Sequence, residues 1–228
     1  MGHFARLLSS SVGGKILMAL TGSFLVLFVI AHLAGNLLIF KGRESFNAYA
    51  QGLRDLGPLL WIARIGLLVF VLTHIRLAFQ LSARNRAARK QDYGARRWLA
   101  TTFESRFMLF GGLALLAFIV YHLAHFTFGW VQPSLYGRLD ALGRPDAYGM
   151  VVDGFKNPVV AFSYVAAMVF LALHLKHGVA SAFQTFGASH PRYLPAIRAA
   201  GPALAILLAG AFSSIPLAIF FGLVKAAA

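Results

Sequence analysis

The chain of 228 residues contains no cysteine and only seven acidic residues. Without a thiol there is no disulfide, no thiolate metal ligand and no thiolate-held haem or iron–sulfur cluster. Redox chemistry, if present, is therefore expected to use histidine. Charge is scarce in general: 12% of residues are charged against 59% hydrophobic, and the mean hydropathy is +0.71. These values exclude an ordinary soluble domain and indicate an integral membrane protein. No nucleotide-binding glycine motif is present, and no connector between apolar stretches exceeds about 30 residues. The chemistry is therefore expected in a helical bundle or on its cytoplasmic face.

Five apolar stretches are long enough to cross roughly 30 Å of hydrocarbon at about 1.5 Å per residue. They cover approximately 14–40, 58–82, 107–129, 158–183 and 202–224. The fold class expected is an all-α membrane protein forming one domain over 1–228, with the first four spans as the functional bundle. Pro58 after Gly57, the pair Asn157-Pro158 and the pair Gly201-Pro202 read as helix starts, and Pro216 is placed to kink the last span. The opening MGHFARLLSSSVGGK lacks the cleavage site of a signal peptide, and is expected to be a short, partly amphipathic segment before an uncleaved first helix.

A net charge of +14 suggests nucleic acid in a soluble protein, but here the loops alternate in sign. Arg6, Lys15, the 84–106 connector and the 184–200 connector together carry 11 Lys and Arg. The remaining connectors hold six basic residues, nearly cancelled by Glu44, Asp55, Asp140, Asp146 and Asp153. By the positive-inside rule the N-terminus is cytoplasmic and the C-terminus outside. The excess positive charge is thus topogenic, and no nucleic-acid partner is expected.

The first and third spans align on a histidine, GSFLVLFVIAHLA (22–34) against GLALLAFIVYHLA (112–124), with six identities in 13 positions. The second and fourth share His74-Ile75-Arg76 against His174-Leu175-Lys176. Shared membrane composition is the plain alternative to a repeat. Ionisable groups inside a bilayer are costly and usually face a cavity, a cofactor or one another. His32, His74, His122 and His174 each sit seven to nine residues before the end of their span. Because successive spans are antiparallel, His32 and His122 fall together toward the outside, and His74 and His174 together toward the cytoplasm. Helical rise puts the two levels around 14 Å apart. Two imidazoles from different helices at each level are the donor set for a bis-histidine haem at each, one haem above the other.

Gly22 and Gly112 each lie ten residues before their histidine, about 15 Å along the helix, and so at the level of the other pair. They are candidate passages for the helix beside the inner macrocycle, as Gly35 and Gly178 are for a porphyrin edge; small-residue helix packing accounts for the same glycines. Arg76 and Lys176 suit propionates of the inner haem, or else snorkel to the interface. Arg64 lies at the outer level and is a candidate for propionates there or for a bound quinone. His125 and His177, three residues beyond His122 and His174, are candidate neighbours of the cofactors.

His32-Leu33 with Asn36, Gly42-x-Glu44-x-Phe46-Asn47, Tyr121-His122, and His174-x-x-x-Gly178 running into Phe183-Gln184-Thr185-Phe186-Gly187 resemble the single-chain, five-helix, dihaem cytochrome b anchor subunits of succinate:quinone oxidoreductases. The likeness runs from about Ser9 to Gly222. It implies two haems b, with distal ligands His32 and His122 and proximal ligands His74 and His174. It also implies iron–sulfur and flavoprotein partner subunits on the cytoplasmic side, a membrane quinone, expected to be menaquinone, and a bacterial cytoplasmic membrane. An acid after the first span belongs to a quinone site in that family; Asp55 is the nearest match, displaced by one residue. Glu44 reads as a solvated loop charge. The rival readings are another dihaem b-type oxidoreductase and a transporter or proton relay built on histidine. The relay predicts acids inside the spans, and the spans have none.

Overall fold

The computed structural model describes residues 10–87, 103–188 and 190–225, the stretch 103–106 by its backbone alone. Residues 1–9 of the expected amphipathic start, together with Arg89, Lys90, Arg96 and Arg97 of the basic connector, lie outside the described residues, while Ser11–Lys15 of that start already belong to the first helix. Helix α1 (Ser11–Asn36) is capped by Ser10, whose Oγ accepts from Gly13 N at 2.9 Å. It tightens into a 3₁₀ turn over Leu37–Lys41 and stops at Gly42, whose φ of +96° an L side chain rarely adopts. Helices α2 (Arg43–Asp55), α3 (Pro58–Ala87) and α4 (Phe103–His122) follow. A π-helical turn at Leu123–Thr127 continues α4. Helix α5 (Ala147–Phe155) is capped by Asp146, and α6 (Pro158–Thr185) by Asn157, with Pro158 in its first turn as expected. Helix α7 (Leu194–Phe220) ends the bundle.

Five of these are long and apolar enough to cross a membrane: Ser11–Lys41, Pro58–Ala87, Phe107–Thr127, Pro158–Thr185 and Leu194–Phe220. The described residues are all-helical, which is compatible with a multi-pass membrane protein, and the only β pairing among them is a single bridge between Leu139 and Pro145. On α3, Leu59, Ile62, Ile65, Val69 and Leu72 are all exposed, as a face meeting lipid tails requires.

The last span differs from the expected 202–224. It starts at Leu194 with a proline in its first turn, and Pro202 lies inside the helix rather than opening it. The preceding Gly201 serves packing instead: a Cβ there would meet the Lys176 backbone oxygen at 2.6 Å, so α7 closes on α6 at this point. Helices α6 and α7 share the largest contact surface, followed by α4 with α6 and α1 with α3. Helices α1 and α4, and likewise α3 and α6, are not packed face to face. The four helices carrying the paired histidines therefore surround a centre, with α1 diagonal to α4 and α3 diagonal to α6.

The connectors that end on the α2 and α5 side are more ordered than loop composition suggests. Asn47 is fully buried; its amide nitrogen donates to Asp140 and Asp146, and its oxygen accepts from Tyr148 N at 2.8 Å. Arg43 pairs with Asp146 at 2.6 Å. Glu44 is the solvent-exposed loop charge expected, but it is also paired: Arg144 grips both its oxygens at 2.9 and 2.7 Å and reaches Asp140 as well. The hydrogen bonds from Arg144 hold the Glu44 carboxyl below the usual range. Burial pushes the Asp140 carboxyl up, but hydrogen bonds from Arg144, Asn47 and the Leu142 amide outweigh it and bring it down to about 2. The stretch from Gly42 to Asn47 thus latches the first connector to the third. Beneath it, Ile39, Val152 and Ala161 are sealed from solvent, each large aliphatic contributing about 1.5–3 kcal/mol of burial.

Candidate functional site

The centre of the bundle is where the histidines converge. His32 on α1 and His122 on α4 face each other with ring centroids 5.8 Å apart and planes at 87°. His74 on α3 and His174 on α6 do the same at 6.2 Å and 62°. Each pair joins helices that are diagonal across the bundle, so the imidazoles reach toward the centre from opposite walls. The pairing is the one that depth along the spans predicts.

A Cβ on Gly22 would stand 3.3 Å from His74 Cε1, and one on Gly112 would stand 3.9 Å from His174 Cε1. Each glycine therefore lies at the level of the other pair. Since each also lies ten residues before its own helix's histidine, the two pairs are separated by roughly 15 Å along the bundle. Gly35 does something different: it makes room for the Tyr49 ring. Gly178 faces open space.

Tertiary partners hold two of the four imidazoles at Nδ1. Thr21 Oγ1 lies 3.2 Å from His74 Nδ1, and Tyr164 Oη lies 3.4 Å from His122 Nδ1. His174 Nδ1 is buried with no hydrogen-bond partner. Beside it a cavity of about 170 Å³ opens between α4 and α6, lined by Phe107, Gly111 and Phe170 among others. An orphaned buried nitrogen is costly in a finished apolar core, and here it adjoins unfilled space. Aromatic rings surround the outer pair: Phe28 and Phe212 against His32, Phe118 and Phe126 against His122.

His125 is 2% exposed, and both its ring nitrogens are engaged, Nδ1 with Tyr164 Oη at 3.0 Å and Nε2 with Gln132 Oε1 at 2.8 Å. The π-helical turn that contains it widens the end of α4 just after His122, and such turns recur at functional sites. His177 is half-buried one turn beyond His174. Arg76 and Lys176 are exposed. Arg64 is exposed too, its guanidinium 5.0 Å over the Trp61 ring of its own helix. Asp55 ends α2 and accepts a hydrogen bond from Gln51 at 2.8 Å. Neither Arg64 nor Asp55 joins an imidazole pair in the contacts described.

Sequence reasoning passed over Thr21, Tyr164 and Gln132. A signal for the first two was present, since a hydroxyl inside an apolar helix must find a partner. Among the described residues no three His, Asp or Glu side chains gather as a metal-binding cluster. The protein offers histidines two at a time.

Compared with protein-family models, with curated proteins and with solved structures, the chain finds no match in any of the three.

Proposed function

We propose that the chain is the dihaem cytochrome b anchor subunit of a succinate:quinone oxidoreductase, passing electrons between an iron–sulfur partner subunit and a membrane quinone. The observation that carries the reading is the two facing imidazole pairs, at 5.8 and 6.2 Å, drawn from four different helices. A metal–imidazole bond of about 2 Å on each side, plus about 1 Å from ring nitrogen to ring centre, gives a centroid separation of roughly 6 Å. A pair of donors without a third suits a metal whose remaining positions are filled by a macrocycle, which is the ligation of a bis-histidine haem. The glycines facing His74 and His174, and the unpartnered His174 Nδ1 beside a cavity, fit the same group.

His32 and His122 would hold one haem and His74 and His174 the other. Bound there, the haems would supply one-electron carriers at two depths. The chain's own part is to space the two pairs along the bundle and surround them with apolar and aromatic side chains. Moving an electron across the full membrane potential involves about 2.3 kcal/mol per 100 mV, so the direction of transfer is coupled to that potential. The remaining assignments come from charge distribution and the family resemblance: a bacterial cytoplasmic membrane, the N-terminus inside, and iron–sulfur and flavoprotein subunits docked on the basic cytoplasmic face. A quinone, expected to be menaquinone, binds in the membrane.

Pyridine extraction and reduced-minus-oxidised spectra of the purified protein test this reading. Two haems b per chain are expected, with flavin and iron–sulfur subunits co-purifying from the native membrane. A protein free of haem would end the cytochrome reading; two haems without those partners would favour another dihaem oxidoreductase.

A further inference from the structure

The hydroxyls at His74 and His122 differ in what stands behind them. The Thr21 hydroxyl has one proton, and the carbonyls of Leu17 at 2.9 Å and Met18 at 3.1 Å take it. Its oxygen is left to accept at 3.2 Å from His74, so that imidazole carries its proton on Nδ1 and its lone pair on Nε2. At the other pair the logic runs through a longer chain. Gln132 Oε1 can only accept, so at 2.8 Å it requires the proton on His125 Nε2. A neutral His125 then accepts at Nδ1 from the Tyr164 hydroxyl, 3.0 Å away. Having given its one proton, Tyr164 turns a lone pair toward His122 Nδ1 at 3.4 Å, and His122 donates.

Packing locks the far end of this chain. A Cβ on Gly154 of α5 would come within 2.9 Å of Gln132 Oε1 and 3.4 Å of His125 Nε2, so a glycine is what lets α5 close over that bond. The Tyr164 ring is itself 7% exposed and gripped edge-on by Phe118 and Phe155.

We propose that Tyr164 is a positioning residue for His122. Oriented by His125 and Gln132, it fixes the tautomer that presents Nε2 as a ligand and, by accepting from Nδ1–H, raises that ligand's basicity. This rests on the cytochrome reading above. At His74 the acceptors are the Thr21 oxygen and the Met18 carbonyl, with no chain of side chains behind them, so His74 and His122 are oriented by different means.

The test is a redox titration of the intact complex in membranes, following each haem separately and identifying the outer one as that lost in His122→Ala. Tyr164→Phe keeps the ring and removes the acceptor. Both haems should remain, while the ferrous-to-ferric ratio of the outer haem at fixed ambient potential rises about fivefold and the inner is unmoved. Thr21→Val should move only the inner haem. Gln132→Glu strengthens the acceptor at the end of the chain and should move the outer ratio the opposite way; because its added charge alone favours ferric haem, Gln132→Met, which removes the acceptor without adding charge, should move the ratio in the same direction as Tyr164→Phe. Should Tyr164→Phe fail to accumulate, Gln132→Met decides in its place, since its side chain is of similar length, uncharged and partly exposed. An unmoved outer haem in Tyr164→Phe or Gln132→Met, or a shift of the same sign from Gln132→Glu, overturns the inference and leaves the cytochrome reading intact. A wild-type complex without haem refutes that reading instead.

Discussion

Two histidines three residues apart at the end of α4 should respond to alanine in opposite ways. His122 faces His32 across the bundle, whereas His125 is sealed at 2% exposure with both nitrogens bonded to protein. His122→Ala removes one imidazole of a pair, so haem content should fall from two per chain to one. His125→Ala should keep both haems and destabilise the fold. Two neutral hydrogen bonds are worth about 1 kcal/mol each, and a ring-sized void costs about as much as the smaller Phe→Ala changes, so the loss totals about 3–5 kcal/mol. For a chain of this length that lowers the melting temperature by about 10 °C. Haem would be counted by pyridine extraction, and melting followed in one detergent at matched protein concentration. Loss of a haem from His125→Ala with both retained in His122→Ala would invert the assignment. A His125→Ala protein that melts within about 1 °C of wild type would show that the hydrogen-bonded pair contributes nothing, against the magnitudes used here.

Gly22→Leu should expel the inner haem and spare the outer, because its Cβ begins 3.3 Å from His74 Cε1; retention of both by extraction would mean that helix packing alone explains the glycine. Asp146→Ala removes the cap of α5, the partner of Arg43 and an acceptor of buried Asn47, and should cost about 2–4 kcal/mol in thermal unfolding, with less than about 1 kcal/mol refuting the latch. Asp140 is lowered to about 2 in the fold against about 4 unfolded, so its ionised form stabilises fully above about pH 4, and that contribution is lost as pH falls through about 2. Hydrogen exchange at the Leu142 and Arg144 amides, which donate to this carboxyl, should therefore stay protected at pH 4 and open only near pH 2.

The spans and the pairing of histidines were legible because both follow from one dimension. A helix rises about 1.5 Å per residue whatever surrounds it, so counting positions in antiparallel spans already places His32 with His122 and His74 with His174 in depth. The early start of α7 was not legible, since Pro202 reads as a helix opener unless one knows that Gly201 is needed against the Lys176 carbonyl. Nor was the role of Glu44, whose partner Arg144 is 100 positions away. The insides of the connectors escaped for the same reason: α2 and α5 carry modest local signals and owe their order to Asn47, Asp140 and Asp146 meeting across two loops.

For His122 and His125 the division is sharpest. Sequence alone showed a chain with no cysteine and no acid inside its spans, and four imidazoles at two depths as the donors at hand. Only the tertiary structure decided what each ring nitrogen does, because hydrogen-bond partners such as Tyr164 and Thr21 come from other helices and depend on how those helices are rotated about their axes. Rise along a helix is a property of the backbone; rotation toward a neighbour is set by packing.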